Sequence, residues 1–123
     1  MAVAHWLRWL SVAAWAVLIA TMTWSPSPPQ ALSAASNASH LAGFLVWTFL
    51  IAWACRFNSQ ALLSCLPPAA AFAVAAELLQ ALVPTRSVQL LDMCANLFGV
   101  GLGAGLALLL PASTSGGNLN ARS

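Results

Sequence analysis

Four apolar stretches, each long enough for a short bilayer crossing, take up most of this 123-residue chain. An α-helix needs roughly 20 mainly apolar residues to span the hydrocarbon core. The last two loops between the stretches, at residues 56–60 and 84–89, are short, so the helices that they join would lie side by side and antiparallel. The sequence therefore predicts an all-α polytopic membrane protein with four transmembrane helices in an up-down bundle. The predicted spans cover residues 9–24, 40–55, 61–83 and 90–110.

Charged residues are too few to cover a water-facing surface. The chain has four arginines, one glutamate, one aspartate and no lysine, so 5% of its residues are charged while 61% are hydrophobic. Soluble domains carry about a quarter charged residues, disorder requires low hydrophobicity, and nucleic-acid binding requires clustered basic residues. Composition therefore excludes these classes. It predicts one membrane domain over residues 1–123, with no nucleic-acid partner and no separate catalytic module.

Prolines mark the predicted helix ends, at residues 26–29, at Pro84 and at Pro111, because proline cannot continue a helix. A proline pair at residues 67–68 either begins the third helix or kinks it, and membrane helices tolerate both. The polar residues 111–123 are predicted to form a flexible tail.

The first stretch admits a second interpretation, a secretory signal peptide. Arg8 precedes its apolar run, and the small residues Ala34 and Ala35 loosely match a cleavage site. The other three stretches are polytopic under either interpretation, so the class of protein does not change.

Arginine positions predict the orientation in the membrane. Arg8, Arg56 and Arg122 fall on one side, and Arg86 falls on the other. Cytoplasmic loops carry an excess of positive charge. Both termini are therefore predicted to be cytoplasmic, with the loops at residues 25–39 and 84–89 on the outer face.

Polar residues inside the third and fourth spans pair by helical spacing. Glu77 and Gln80 are three apart, and Asp92 and Asn96 are four apart, so each pair shares one face of its helix. A short loop joins the two helices, which makes them antiparallel neighbours. Glu77 and Asn96 each lie about 9 Å from the outer end of their helix, at 1.5 Å rise per residue. We therefore expect them at the same depth.

Half of the charged and histidine residues converge on this outer region. Ionisable groups inside a membrane are costly and usually face the bundle interior or a wet cavity. We therefore expect one shared polar site there, with His40 at the start of the second span. The converging residues are His40, Glu77, Arg86 and Asp92. The others are His5, Arg8, Arg56 and Arg122, and these serve as topology or tail residues.

Glycines continue the stripe that Asn96 begins. Gly99 and Gly103 follow it at spacings of three and four, and glycine allows a neighbouring helix to approach closely. Gly101 and Gly105 form a second stripe. We expect Gly99 and Gly103 to be helix-packing residues, and they are candidates for a homodimer or partner-helix contact.

No metal site and no cofactor is expected from spacing. His40, Glu77 and Asp92 offer no ligand pattern within one helix, which makes the argument for a metal weak. The three cysteines are an odd number without close spacing, so neither a disulfide framework nor a zinc site is indicated. They are Cys55, Cys65 and Cys94, interpreted as small apolar residues of the helices.

The run from residue 77 to residue 103 resembles the signature of VanZ-like membrane proteins. That signature reads E-x-x-Q, then P-x-R, then D-x-x-x-N-x-x-G-x-x-x-G. The positions of this sequence that match it are Glu77, Gln80, Pro84, Arg86, Asp92, Asn96, Gly99 and Gly103. His40 looks like the histidine of that family, and the resemblance extends over roughly residues 36–105.

One departure from the family pattern precedes His40. The family usually carries an aspartate and a lysine four and three residues before its histidine, whereas Ser36 and Asn37 stand here. The resemblance implies a multi-pass protein of the bacterial cytoplasmic membrane, in a family associated with teicoplanin resistance. An activity that needs the aspartate–lysine pair is in question for this chain.

The polar residues allow two kinds of role. Glu77 is a candidate general acid or base, a candidate binder of a cationic or hydroxylated headgroup, or a residue that only joins two helices by hydrogen bonds. His40 and Asp92 are the other catalytic candidates. Arg86 either binds a phosphate or pairs with Asp92. Gln80 and Asn96 are candidate ligand contacts whose more ordinary role is helix packing.

Three classes of function follow from these roles. The first is a non-enzymatic envelope protein whose polar site binds a membrane lipid, a lipid-linked precursor or a glycopeptide. The second is a small membrane enzyme acting on a lipid headgroup, although no nucleophile motif is present. The third is a helix-packing subunit of a larger complex. The sequence alone leaves catalysis open.

Overall fold

Four long helices make up the fold in this computed structural model, which describes residues 2–24, 36–84 and 88–111. All four are long and apolar enough to cross a membrane. The predicted all-α membrane architecture is therefore confirmed. The helices are α1 (Ala2–Trp24), α2 (Ser36–Ala54), α3 (Ser59–Leu78), which continues as a 3₁₀ turn (Leu79–Leu82), and α4 (Leu90–Leu108).

Two of the helices begin earlier than their apolar stretches. α1 begins at Ala2 rather than at residue 9, and α2 begins at Ser36 rather than at residue 40. His5 and Arg8 in the first case, and Ser36, Asn37 and Ser39 in the second, limit the apolar run but do not break the α-helix. Hydropathy therefore indicates where the chain meets the membrane, and it does not indicate where a helix ends.

The third helix starts at a side-chain cap and passes through both prolines. The Asn58 side-chain oxygen accepts a hydrogen bond from the backbone N–H of Ala61 at 2.9 Å, as N-cap residues do. Pro67 and Pro68 lie inside α3 and do not begin it. Ahead of the cap, Arg56 and Phe57 adopt left-handed backbone conformations, with φ of 58° and 56°. That turn allows only four residues to connect α2 to α3.

Paired contacts along the helices establish the up-down order. The indole N–H of Trp15 donates to the Gly43 carbonyl at 2.9 Å, and that of Trp47 donates to Val12 at 3.2 Å, so α1 and α2 are antiparallel. Asn96 on α4 bonds to Ala73 on α3, and the Gln89 N–H just before α4 bonds to Glu77. α3 and α4 are therefore antiparallel as well, and the predicted up-down bundle is confirmed.

The most extensive contact joins α2 and α4, which are not consecutive in the chain. Two glycines of α4 make this possible. A Cβ at Gly99 would meet the carbonyl oxygen of Leu41, and a Cβ at Gly103 would lie 2.6 Å from that of Leu45. Gly99 and Gly103 therefore lie against the backbone of α2 in the same chain.

Six polar residues are buried while many leucines are exposed, which is unlike a water-soluble bundle. Leu82 and Leu109 are 79% and 80% exposed, which suits a surface facing lipid tails. An aromatic group of Phe44, Trp47 and Phe72 fills the centre, with ring centroids 5.0 to 5.9 Å apart. The buried polar residues are Thr23, Thr48, Glu77, Gln80, Asp92 and Asn96.

Candidate functional site

Five of the predicted site residues meet at one end of the bundle. This end consists of the last turn of α1, the start of α2, the end of α3 and the start of α4. Glu77 and Asn96 are fully buried there, with 0% of their surface exposed. Asp92 and Gln80 are also buried, and the His40 side chain is 12% exposed. We call the group of His40, Glu77, Asp92 and Asn96 the polar cluster.

Asn96 links three helices through its side-chain amide. Its Nδ2 donates to the carbonyl of Ala73 on α3 at 3.1 Å, and its Oδ1 lies 2.7 Å from Nδ1 of His40 on α2. A backbone carbonyl only accepts hydrogen bonds, so the amide nitrogen must face Ala73 and the amide oxygen must face His40. The His40 Nδ1 therefore carries the proton and donates to Asn96.

Glu77 holds the end of α3 against the start of α4. Its Oε1 accepts a hydrogen bond from the backbone N–H of Gln89, the N-cap residue of α4, at 2.7 Å. Its Oε2 is buried and has no hydrogen-bond partner among the residues that the structure describes. A buried carboxylate oxygen normally has a partner, so this one suits a bound group.

His40 presents its other ring nitrogen to Asp92. Nε2 lies 3.7 Å from Oδ2 of Asp92, which exceeds hydrogen-bond distance. Donor atoms from His40, Glu77 and Asp92 all lie within 4.8 Å of one another. These three residues could hold a cation, and they combine an imidazole with two carboxylates on three different helices.

The described cationic side chains lie at the opposite end of the bundle. The Arg8 guanidinium stacks 5.4 Å from the ring centroid of Trp53, near the end of α2, and Arg56 lies in the turn that follows. Arg86, which was predicted to join the site, lies outside the described residues, as does Arg122. The described part of the site is therefore acidic.

Comparison with known proteins identifies the family. A model of the VanZ/LLP1 family matches residues 8–111, most of the 123-residue chain. The chain belongs to the VanZ/LLP1 family. No curated protein and no solved structure matches the chain. The match begins at residue 8, so it includes the first helix as well as the region that the sequence motif covers.

The structure separates two roles among the VanZ/LLP1 motif residues. Glu77, Asp92 and Asn96 enter the polar cluster together with His40. Gln80 does not: its Nε2 donates to the backbone carbonyl of Thr23 at 2.9 Å, and close by Trp24 donates to the carbonyl of Ala76 at 3.0 Å. Gln80 therefore attaches the end of α1 to α3.

Sequence reasoning missed the backbone groups that bond the side chains of the polar cluster. The N–H of Gln89 and the carbonyl of Ala73 each bond a cluster side chain. Every residue carries a backbone carbonyl and every residue except proline carries a backbone N–H, so no residue type marks these groups. These two backbone groups could have been found only from the way α3 packs antiparallel to α4.

A pair of cysteines occupies the other end of the protein. The Sγ atoms of Cys55 and Cys65 are 4.0 Å apart. Burial, together with the charge and hydrogen bonding of Cys65, raises the pKa of the Cys55 thiol to about 11. Cys55 follows the last residue of α2 and lies outside the polar cluster, so it is a protonated packing group at ordinary pH.

Proposed function

We propose that this VanZ/LLP1 protein binds a headgroup in the polar cluster, at the outer leaflet of the bacterial cytoplasmic membrane. The bound molecule is a lipid, a lipid-linked precursor or a glycopeptide. The observation that carries the proposal is the Oε2 atom of Glu77, a buried carboxylate oxygen without a hydrogen-bond partner among the described residues. Leaving such a group unsatisfied is costly, and a ligand donor would satisfy it.

The charge of the cluster favours a particular ligand chemistry. Two carboxylates, on Glu77 and Asp92, accept hydrogen bonds and attract positive charge, so the cluster suits an amine or a hydroxyl group. It does not suit a bare phosphate, which like charge would repel. Arg86 lies in the sequence between α3 and α4, and we assign it the phosphate of the same headgroup.

A role in glycopeptide resistance follows from the same site. The family resemblance associates VanZ-like proteins with teicoplanin resistance. A protein that binds a precursor headgroup, or the glycopeptide itself, would change the access of one to the other at the membrane surface. Headgroup binding uses the polar cluster alone and does not depend on the aspartate–lysine pair that Ser36 and Asn37 replace.

The second candidate function is an enzyme that acts on the headgroup. The observation that favours it is the 3.7 Å separation of His40 Nε2 from Asp92 beside Glu77, because positioned imidazoles and carboxylates serve as general acids and bases. Glu77 or His40 would be the base. A subunit role through Gly99 and Gly103 has less support, because α2 of the same chain already packs against both glycines.

The substitution Glu77→Gln tests the proposal. It preserves shape while removing the charge, and Leu78→Ala, at an exposed neighbouring position, is the matched control. The measurements are native mass spectrometry of co-purified lipid, whole-cell lipid analysis and teicoplanin susceptibility. We expect Glu77→Gln to insert normally, to lose the bound lipid and to abolish the phenotype, whereas Leu78→Ala keeps both.

The outcomes separate the candidate functions. A lipid species that changes in cells expressing the wild-type protein, and does not change with Glu77→Gln, supports the enzyme. An unchanged lipid profile with a lost phenotype supports binding. If Glu77→Gln, His40→Ala and Arg86→Ala all behave as wild type in every assay, the headgroup site is refuted.

A further inference from the structure

We propose that His40, Glu77 and Asp92 hold a divalent metal ion, and that Zn²⁺ fits their donor set best. The proposal uses residues of the proposed headgroup site but requires no lipid, so either proposal can fail alone. It departs from the expectation of no metal, which rested on the lack of ligand spacing within a single helix. Here each ligand comes from a different helical segment.

The donor atoms are already close to a coordination geometry. They lie within 4.8 Å of one another, and His40 Nε2 is 3.7 Å from Asp92 Oδ2. Tetrahedral Zn²⁺ with bonds near 2.1 Å separates its ligand atoms by about 3.4 Å. Contraction by about an ångström, which side-chain rotation supplies, would bring the three donors onto one ion.

Asn96 prepares His40 to act as a metal ligand. Since His40 Nδ1 donates a hydrogen bond to Asn96 Oδ1, Nε2 is the ring nitrogen left to bind a metal ion, and it lies 3.7 Å from Asp92 Oδ2. Metal-bound histidines characteristically donate their other ring N–H to an acceptor of this kind, which fixes the tautomer and the ring orientation. Asn96 is itself held by the carbonyl of Ala73.

Glu77 supplies the second, independent observation. The Gln89 N–H fixes one carboxylate oxygen, while the other has no hydrogen-bond partner among the described residues and is fully buried. This is the arrangement expected of a monodentate metal ligand whose second oxygen is oriented by the protein. Two carboxylates also balance the charge of one divalent ion, which lowers the cost of burying them.

The mixture of donors selects among ions. Imidazole suits zinc and iron better than magnesium or calcium, and carboxylate oxygens do not suit soft monovalent copper. Three protein ligands leave one zinc position open, as in catalytic sites. A headgroup oxygen or a water molecule would take that position.

Metal binding to the purified full-length chain in detergent tests the proposal. Cys55 and Cys65 can also bind zinc because their sulfurs are 4.0 Å apart, so all three cysteines are replaced by alanine and the purification tag contains no histidine. After removal of metal with EDTA, the protein is titrated with zinc chloride, manganese chloride or magnesium chloride. Bound metal is measured by calorimetry and elemental mass spectrometry.

We expect one zinc ion per chain and much weaker binding of magnesium. His40→Gln, Glu77→Gln and Asp92→Asn should each lose the stoichiometric zinc. Asn96→Leu should weaken zinc affinity by about 10- to 100-fold, because it removes the group that orients His40. His5→Ala removes an exposed histidine and should leave stoichiometry and affinity unchanged.

Further measurements separate ligand loss from misfolding. Each variant is compared with the parent by circular dichroism and size-exclusion chromatography, and cobalt absorption reports the coordination of the parent directly. Absence of zinc, manganese and cobalt binding in the folded parent overturns the proposal, as does zinc binding that survives Glu77→Gln and Asp92→Asn. Lipid co-purification with the EDTA-treated parent tests headgroup binding separately.

Discussion

The side-chain amide of Asn96 determines which nitrogen of His40 carries the proton. Because Nδ2 of Asn96 donates to the Ala73 carbonyl, its oxygen is left to accept from His40 Nδ1 at 2.7 Å. One fully buried residue thus ties α2, α3 and α4 together and directs His40 Nε2 towards Asp92. The same contact serves stability and the chemistry of the polar cluster.

Asn96→Leu should destabilise the protein, by about 1–2 kcal/mol of unfolding free energy. It removes two hydrogen bonds and leaves the Ala73 carbonyl and His40 Nδ1 without their partner. Thermal or SDS-induced unfolding in detergent measures this, with Leu97→Ala as the partly exposed control. Equal stability of the two variants would contradict the linking role of Asn96.

Paired glycine substitutions should have opposite effects on stability. Gly103→Ala places a methyl group 2.6 Å from the Leu45 carbonyl oxygen, and such overpacking costs about 1–3 kcal/mol. Gly105→Ala meets nothing within 4 Å, and alanine is favoured over glycine in a helix by about 0.5–1 kcal/mol.

The same contrast holds one turn earlier. A Cβ at Gly99 meets the backbone of Leu41 and Leu45, whereas Gly101 is open. Comparing the unfolding of all four alanine variants checks both pairs. If the variants at residues 99 and 103 are as stable as those at residues 101 and 105, the close contact of α2 with α4 is wrong.

Gln80→Ala should loosen α1 while leaving zinc binding intact. Its amide holds the Thr23 carbonyl and takes no part in the donor cluster. We expect faster hydrogen exchange at the end of α1, measured by mass spectrometry, together with unchanged zinc affinity. If Gln80→Ala loses zinc binding while hydrogen exchange at the end of α1 is unchanged, Gln80 belongs to the binding site and does not hold α1.

Alkylation of Cys55 should be slow until the pH approaches about 11. The thiolate is the nucleophile. With the pKa raised from 9.0 to about 11, about 1% of Cys55 is ionised at pH 9, against about half of an unperturbed thiol. Iodoacetamide labelling followed by mass spectrometry should therefore be about 50-fold slower in the folded protein than in SDS. Cys65→Ala should speed it, because Cys65 contributes to the shift; equal rates folded and denatured would exclude the shift.

The predicted orientation can be tested by cysteine labelling in intact cells. In a chain whose native cysteines are replaced by alanine, Ser87→Cys lies in the loop that the arginine distribution places outside. We expect it to react with a membrane-impermeant thiol reagent before the cells are opened. The control Asn58→Cys, beyond the other end of α2, should be protected until they are lysed. The reverse pattern would invert the topology.

Much of the fold could be predicted from the sequence because the helices and their order depend on properties of short segments, namely apolar length, loop length and helical spacing. The length of the apolar stretches predicted four helices that are long enough to cross a membrane. Short loops predicted their up-down order, and helical spacing predicted that Glu77 and Asn96 lie at the same depth. α1 and α2 begin several residues before the predicted spans, because those spans were estimated from apolar runs and a helix can extend beyond its apolar run. Arg86 stays a prediction because it lies outside the described residues.

By itself, the sequence determined the class of protein and the end of the bundle where the polar residues gather, because burying charge in a membrane is costly wherever it occurs. Only the tertiary structure decided which contacts those residues make there. The pairing of α2 with α4, which are not consecutive, turns Gly99 and Gly103 inward and brings His40 to Asn96 and Asp92. Spacing within one helix cannot reveal donors contributed by three segments, because their convergence depends on how closely the helices pack.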